Sequence, residues 1–143
     1  MSISFSEDDV RSMGRTARGV KGITLKEGDA VAGMANLHKD RDVLTVTTNG
    51  YGKRTPTAEY RSQTRGGKGV IDLKVTEKTG EVIGLKVVTP DHELMLITEG
   101  GIVIRTNVSE ISVQGRNTQG VKIMRTEGDD KVVSMATMEQ KSE

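Results

Sequence analysis

The segment Arg65-Gly66-Gly67-Lys68-Gly69-Val70 has the frame Arg-x-x-x-Gly-Val, and the same frame occurs at residues 15–20 and 116–121. The three copies begin at Arg15, Arg65 and Arg116, so they are separated by 50 and 51 residues. A constant spacing of this size is typical of chains built from stacked or radially arranged repeats, propeller blades among them. We therefore interpret the whole chain as a series of repeats of this length.

The composition favours a β-protein with an aliphatic core. Aromatic residues make up 2% and hydrophobic residues 34% of the 143 residues, so Val, Ile, Leu and Met must supply the core. They occur in short alternating runs, as in thin β-sheets, and no run shows the 3.6-residue period of an amphipathic helix. There is no run as long as a membrane span, no signal peptide and no cysteine, so we expect a soluble, cytoplasmic protein without a membrane partner.

One complete repeat can be traced from Val43. It comprises a strand at 43–47, a two-residue turn at Asn49-Gly50, a second strand at 53–55, a strand at 70–75 and a closing strand at 81–88. Corresponding strands are predicted at 95–98, 102–105, 122–125 and 132–138, and in the first repeat at 23–25 and 30–37. Roughly four strands per repeat predict an all-β fold of propeller-like blades.

The chain begins partway through a repeat, because Ile3-Ser4-Phe5 aligns with Lys53-Arg54-Thr55 and with Ile104-Arg105-Thr106. We predict a partial blade at residues 1–42, a complete blade at 43–92, and a final blade with a short tail at 93–143. This number of blades cannot close a ring. We therefore expect a partial ring with exposed strand edges, which stays an open arc or self-associates.

Charge is segregated in phase with the repeat although the formal net charge is only +1. Residues 1–10 contain three acids and no base, whereas residues 11–22 contain four bases and no acid. The two later repeats also carry a basic segment followed by an acidic one. This distribution predicts a row of basic corners that can bind phosphate.

The glycine-rich segment 63–69 is the strongest phosphate candidate, since its glycines let backbone N–H groups approach an anion beside two cations. The structural alternative is that each glycine serves a left-handed turn and each arginine only solubilises a loop. The residues predicted to bind DNA are Arg11, Arg15, Arg18, Lys21, Lys53, Arg54, Arg61, Gln63, Arg65, Gly66, Gly67, Lys68, Gly69, Arg105, Arg116 and Lys122.

The basic corners favour duplex DNA, held largely without regard to sequence and bent along a curved surface. Single-strand binding is disfavoured because Phe5, Tyr51 and Tyr60 are the only aromatic residues available for base stacking. Tyr51 and Tyr60 could be nucleophiles, but Tyr60 occupies a position held by Val10 and Ile111, which indicates core.

Other chemistry is weakly supported. His38, Asp40 and Asp42 lie in a charged linker that is more typical of solvated side chains than of a metal site, and His92 lies in the equivalent linker. The segment 66–69 lacks the spacing of a nucleotide-binding loop. We expect no catalytic residue, cofactor or metal in this chain. The alternative class is a protein-interaction or self-associating propeller that uses acidic blade ends or strand edges.

Three motifs resemble the C-terminal domain of the A protein of bacterial DNA gyrase: Tyr51-Gly52-Lys53-Arg54-Thr55-Pro56, Val108-Ser109-Glu110-Ile111-Ser112 and residues 115–121. The resemblance covers nearly the whole chain. It implies a β-pinwheel, a propeller-like ring whose basic rim wraps duplex DNA so that the whole enzyme, a type II topoisomerase, introduces negative supercoils with ATP. This chain is similar to the last three blades of that ring.

The resemblance also implies which partners the chain has and which functions belong to other parts of the enzyme. The partners are duplex DNA, the remainder of gyrase A and the gyrase B protein, while ATP and Mg would belong to other parts of the enzyme. The segment 63–69 resembles the family's Gln-Arg-Arg-Gly-Gly-Lys-Gly box except at Thr64, and in the family that box belongs to the first blade. The topoisomerase IV C-terminal domain is a similar alternative, and the near-complete box favours gyrase.

Overall fold

The computed structural model describes residues 1–6, 23–27, 29–37, 40–60, 69 and 71–139. Two compact units are present, one formed by Met1–Ala30 with Tyr60–Asp72 and the other by Val31–Glu59 with Leu73–Glu143. In the first unit the Tyr60 hydroxyl donates a hydrogen bond to the Asp72 carboxylate. All strands described below lie in the second unit.

Seven strands form two antiparallel sheets. They are β1 (Asp42–Thr47), β2 (Tyr51–Pro56), β3 (Val82–Val88), β4 (His92–Thr98), β5 (Val103–Asn107), β6 (Val121–Lys122) and β7 (Val132–Glu139). One sheet has the order β3-β1-β2-β6 and the other β5-β4-β7. Two short 3-10 turns, Thr57–Glu59 and Val108–Glu110, follow β2 and β5. The all-β prediction is confirmed, and no helix in the described ranges is long and apolar enough to cross a membrane.

The core of the second unit is aliphatic, as the low aromatic content predicts. Leucines and valines of β1 and β4 are fully buried because both strands are central in their sheets. The members of this core are Leu44, Val46, Val88, Leu94, Leu96, Val108, Ile111, Met124 and Val132. The last four come from segments that follow β5, so this core joins residues of both later repeats.

The β1–β2 hairpin turns through three residues, Thr48 to Gly50, and the predicted two-residue turn is wrong. Among the described residues the only non-glycine with a positive φ is Asp40, so Asn49 does not adopt the left-handed conformation that a two-residue turn with both φ positive requires. Gly50 alone does, with φ of 83°. The Gly50 N–H donates to the Thr47 carbonyl at 3.1 Å, and the Thr47 hydroxyl oxygen accepts from the Tyr51 N–H at 3.2 Å.

The β4–β5 hairpin repeats this turn 51 residues later with Thr98 and Gly101. The Gly101 N–H donates to the Thr98 carbonyl at 3.0 Å, and Gly101 has a φ of 88°. Asp130 supports the turn by accepting from the Gly100 N–H at 2.8 Å. Hydrogen bonds from Thr98, Gly100 and Lys131 hold the pKa of Asp130 below its ordinary value, so this support is present at neutral pH and is lost in acid.

Two predicted strands of the middle and last repeats differ from the structure. Residues 71–75 form no strand, and Val70 lies outside the described residues. The Lys74 N–H instead donates to the Thr118 carbonyl at 2.8 Å, so this segment bonds to a loop of the following repeat. The strand predicted at 122–125 is limited to Val121–Lys122, where it pairs with β2. His92 begins β4 and is buried, so it belongs to a strand and not to a linker.

The strands predicted at 23–25 and 30–37 are also wrong, since neither segment is a strand. In the later repeats the closing strands β3 and β7 pair with β1 and β4, the first strands of their own repeats. Val31, Met34 and Leu37 are exposed, although an added Cβ on Gly33 would lie 3.6 Å from the Leu85 nitrogen of β3.

The predicted blade boundaries after residues 42 and 92 remain predictions. One sheet nevertheless crosses the boundary after residue 92, because the four-stranded sheet takes β6 from the residues assigned to the last blade. A sheet and a sequence repeat are therefore not the same set of residues.

We predict that Gly50→Ala and Gly101→Ala destabilise the protein to different extents. The left-handed conformation costs alanine about 1–2 kcal/mol at either position. At Gly50 an added Cβ would also lie 2.2 Å from the Met124 carbonyl oxygen, whereas at Gly101 nothing lies within 4 Å. Overpacking adds about 1–3 kcal/mol, so Gly50→Ala should lower the free energy of unfolding by that much more in urea titrations followed by circular dichroism. Equal losses would contradict the tight contact at Gly50.

Candidate nucleic-acid interface

The third Arg-x-x-x-Gly-Val copy lies in a stretch of the last repeat that docks on the outer edge of β2. We call residues 109–124 the docked segment. Its backbone bonds directly to β2: the Arg54 N–H donates to the Ser112 carbonyl at 3.0 Å, and the Arg54 carbonyl accepts from the Gln114 N–H at 2.7 Å. Further along, the Ile123 N–H donates to the Gly50 carbonyl at 2.7 Å. The edge of β2 is therefore covered by the following repeat.

The Lys53 side chain holds the docked segment in place through hydrogen bonds. It is fully buried, and its ammonium donates to the Gly115 and Arg116 carbonyls, each at 2.7 Å, and to the Thr118 hydroxyl at 3.2 Å. Burying an ammonium costs several kcal/mol in real proteins. Hydrogen bonds to charged groups contribute about 1.5–3 kcal/mol each, so three of them offset that cost.

Arg54 fixes the start of the same segment. Its Nε donates to the Ile111 carbonyl at 2.8 Å, and one terminal nitrogen lies 3.2 Å from an Asp42 carboxylate oxygen. Its other terminal nitrogen donates to the Ser109 carbonyl at 3.4 Å. Arg54 is 8% exposed. The charge of Arg54 is therefore compensated by the Asp42 carboxylate and by carbonyl groups of the docked segment.

The setting of Lys53 and Arg54 argues against the prediction that they contact DNA, because both side chains are buried and hydrogen-bonded within the protein. Both residues lie on a strand with neighbours on its two edges, so neither edge faces solvent. One feature of the sequence indicates that Lys53 is buried. Ile104 occupies the position of Lys53 in the next repeat, and an apolar counterpart indicates an interior position.

The glycine of the frame is a contact between repeats. Gly120 has a φ of 79°, and an added Cβ would lie 2.6 Å from the Gly52 carbonyl oxygen. In the first unit Gly69 has a φ of 81°, and its Cβ would lie 2.0 Å from the Ser2 carbonyl oxygen. Two copies therefore place a left-handed glycine against a corresponding backbone oxygen. For Gly69 and Gly120 the structural alternative explains why glycine is required.

Exposed cations lie beside these buried ones. Lys122 is exposed, and its ammonium lies 5.6 Å from the centroid of the Tyr51 ring. The ammonium of Lys78, a residue outside the predicted DNA-binding set, lies 5.7 Å from the same centroid. Tyr51 is only 6% exposed, so it is a core residue and not an accessible nucleophile. The structure thus brings two long cationic side chains together over one fixed ring, an arrangement worth about 0.5–1 kcal/mol per cation at exposed sites.

Arg105 and Arg116 differ in setting. The Arg105 side chain is 62% exposed and its guanidinium lies 2.6 Å from the Glu93 carboxylate. This pair is the counterpart, 51 residues later, of the Asp42–Arg54 pair. Arg116 is half-buried in the docked segment. A surface ion pair contributes about 0–1 kcal/mol, so a phosphate can compete with Glu93 for Arg105.

Ten of the predicted DNA-binding residues lie outside the described residues. They are Arg11, Arg15, Arg18, Lys21, Arg61, Gln63, Arg65, Gly66, Gly67 and Lys68. His38 lies outside as well. Within the described part of the chain no three His, Cys, Asp or Glu residues are grouped as metal ligands, and Asp42 is committed to Arg54.

Comparison with known proteins identifies similar chains. A family model described as the DNA gyrase C-terminal domain, a β-propeller, matches residues 1–37, 41–89 and 92–137. The DNA gyrase A protein of Staphylococcus aureus strain MRSA252 is 49% identical over 134 residues, which are 92% of this chain and 15% of that protein. The same figures hold for strain NCTC 8325. This chain therefore spans about a seventh of these relatives, as the 15% share shows.

Two solved structures are similar in fold. The structure of a DNA gyrase A C-terminal domain has a TM-score of 0.81 at 30% identity and covers 93% of this chain, which matches 45% of that one. The crystal structure of a topoisomerase IV C-terminal domain has a TM-score of 0.86 at 28% identity, with 94% of this chain and 42% of that one covered. The two TM-scores do not separate the alternatives, whereas the family model and the 49% identity favour gyrase.

We predict that Lys53→Met destabilises the protein by about 2–6 kcal/mol, because it leaves two carbonyls of the docked segment without their donor at about 1–3 kcal/mol each. Urea unfolding measures the change. The matched control is Lys122→Gln, which removes an exposed ammonium beside the Tyr51 ring and should lower the free energy of unfolding by no more than about 0.5–1 kcal/mol. A Lys53→Met protein as stable as the control would show that the buried ammonium does not hold the docked segment.

Proposed function

The chain belongs to the DNA gyrase C-terminal domain family, and on that premise we propose that it binds duplex DNA through its basic corners and bends the duplex along its surface. The observation that supports this most directly is the docked segment, which buried Lys53 and Arg54 hold in place from within. Exposed cations of this segment, such as Lys122, are therefore held in place by buried hydrogen bonds. Binding through such cations is salt-dependent and largely independent of sequence.

We further propose that the contribution of this chain is non-catalytic and needs no cofactor of its own. Strand cleavage, ATP hydrolysis and Mg would belong to other parts of a longer gyrase, whose negative supercoiling the bent DNA supports. The remainder of gyrase A and the gyrase B protein are the proposed partners in that enzyme, and the cytoplasm is the proposed location. The corresponding domain of topoisomerase IV is the nearest alternative.

The proposed function requires contacts with the protein to offset the free energy of bending the DNA duplex. Bending a site of 20–30 base pairs by 40–90° costs on the order of 1–6 kcal/mol. Contacts from separate repeats can offset that cost only if the repeats keep their spacing. The backbone bonds between β2 and the docked segment hold this spacing, because they join the two repeats directly.

A second candidate function is self-association through a strand edge. It is supported by the exposure of Ile102 and Val103, which are 45% and 53% exposed beside and on β5. An exposed apolar strand edge is a template for another chain. This candidate does not exclude DNA binding.

Salt titration of DNA binding tests the first proposal. Fluorescence anisotropy with a short duplex should give a straight line of log affinity against log salt, with a slope of about −0.9 for each phosphate contacted. Lys122→Gln should reduce that slope by about 1. Arg65→Glu together with Lys68→Glu should weaken binding strongly. Affinity that survives this double change, or that does not fall with salt, would contradict the proposal.

The structure supplies two controls for that titration. Lys86→Gln removes an exposed lysine of β3 outside the predicted set, and its slope should equal that of the unmodified protein. Lys53→Met, measured under conditions in which it is folded, should also keep the slope, because the Lys53 ammonium is buried. A slope change in Lys53→Met would restore Lys53 as a phosphate contact.

Ligation of nicked DNA circles tests bending and its direction together. Circles closed in the presence of the protein should differ in linking number from circles closed without it, and the sign of the difference gives the handedness of the wrap. Unchanged linking number at saturating protein would mean that this chain binds DNA without wrapping it.

A further inference from the structure

The joint between the middle and last repeats brings two exposed lysines to one aromatic ring. The Lys78 ammonium lies 5.7 Å and the Lys122 ammonium 5.6 Å from the centroid of the Tyr51 ring. Lys78 belongs to the middle repeat and Lys122 to the last one. Two ammonium groups from successive repeats are therefore held close together.

The position of Lys122 is set by strand pairing. Lys122 lies in β6 opposite Tyr51 of β2, and the preceding Val121 lies opposite Gly52. The N–H of the residue that follows Lys122 donates to the Gly50 carbonyl at 2.7 Å. The backbone of Lys122 is therefore held in register with the ring that its side chain contacts.

The position of Lys78 is set by a closed turn, residues 76–80, which we call the lysine turn. The Thr76 N–H donates to the Thr79 hydroxyl at 3.0 Å, and the Gly80 N–H donates to the Thr76 carbonyl at 3.0 Å. Thr79 is fully buried, whereas Lys78 is exposed. The turn is therefore closed by its own hydrogen bonds and leaves the Lys78 side chain at the surface.

Asn49 attaches the lysine turn to the β1–β2 hairpin. Its side-chain nitrogen donates to the Glu77 carbonyl at 3.2 Å and to the Lys78 carbonyl at 3.1 Å. Its side-chain oxygen accepts from the Lys131 ammonium at 2.6 Å. A carboxamide suits this place because it donates and accepts at the same time. Asn49 therefore acts through its side chain, and not through a left-handed backbone conformation.

Neither Lys78 nor Lys122 forms an ion pair within the described residues. The ion pairs in that part of the chain are Arg54–Asp42, His92–Glu139 and Arg105–Glu93. The Tyr51 ring attracts both ammonium groups through its π face, but it carries no net charge that could neutralise them. Like charges that lie close together repel each other. Two adjacent cations of this kind favour an anionic ligand.

We propose that Lys78 and Lys122 contact neighbouring phosphates of one DNA duplex at the joint between two repeats, and that Asn49 positions Lys78 for this contact. The inference rests on the duplex DNA binding proposed above and adds Lys78, which lies outside the predicted DNA-binding set. Gly128 and Asp129 follow Lys78 by 50 and 51 positions, so the last repeat has no lysine at the equivalent place. The contact therefore belongs to this joint and not to every repeat.

Salt titration of single and double variants tests the contact. In fluorescence anisotropy with a short duplex, Lys78→Gln should reduce the slope of log affinity against log salt by about 1. Lys78→Gln combined with Lys122→Gln should reduce it by about 2, because each ammonium contacts its own phosphate. Lys86→Gln is the matched control, since Lys86 is an exposed lysine of the same repeat, and its slope should equal that of the unmodified protein.

Asn49→Ala tests the positioning role separately. This variant keeps every cation but removes the two donors that hold the lysine turn. The slope should stay that of the unmodified protein, because both phosphates can still be contacted. Affinity at a fixed salt concentration should fall about threefold or more, because the Lys78 turn must then be ordered when DNA binds.

Each outcome bears on one part of the inference. A lower slope in Lys78→Gln with an unchanged slope in Lys86→Gln supports the contact. An unchanged slope in Lys78→Gln, while Lys122→Gln still lowers it, overturns the contact and leaves the proposed DNA binding standing. A double variant that loses no more slope than either single variant overturns separate phosphates.

Asn49→Ala that is folded by circular dichroism and binds as tightly as the unmodified protein overturns the positioning role. If the affinity of the unmodified protein does not fall with salt, the DNA-binding proposal itself is overturned, and the inference with it.

Discussion

The bond network between a buried lysine and the backbone of the next repeat is the interaction on which the rest of this structure depends. The Lys53 ammonium donates to the Gly115 and Arg116 carbonyls and to the Thr118 hydroxyl, all in the next repeat. A buried ammonium that lost these acceptors would cost several kcal/mol. The sheet around β2 is therefore stabilised by the next repeat, with which it also shares the core formed by Leu44, Val88, Ile111 and Met124.

The same arrangement separates structural cations from exposed ones. Lys53 and Arg54 neutralise carbonyl groups and a carboxylate inside the protein, whereas Lys122 and Lys78 lie at the surface beside Tyr51. Counting basic residues overestimates the charge available to a ligand, because part of it is already compensated. A ligand therefore contacts a smaller number of cations, and these lie on a hydrogen-bonded segment. This arrangement lowers the entropy lost when several contacts form at once.

The repeat period, the all-β class and the aliphatic core could be predicted from sequence, because periodicity and composition report them directly. The roles of Lys53 and Arg54 could not, since a strand with Lys and Arg at consecutive positions is typical of a surface edge until its second neighbour is known. That neighbour, β6, lies about seventy residues away, as the Tyr51–Lys122 pair shows. The strand predicted at 30–37 is missing for a related reason, because a local alternating pattern does not by itself supply the pairing that makes a strand.

The offset between sheet and repeat has a consequence for how such a chain can change length in evolution. Backbone of one repeat is covered by a glycine of the following repeat, as Gly52 is by Gly120 and Ser2 by Gly69, which lie 68 and 67 positions downstream. A duplication or deletion of one whole period preserves every such pairing wherever its ends fall in the sequence. An insertion of part of a period breaks the pairing on both sides of it. The genetic unit of growth is therefore a fixed length of chain with no fixed starting point, and blade number can vary while the joints between blades stay the same.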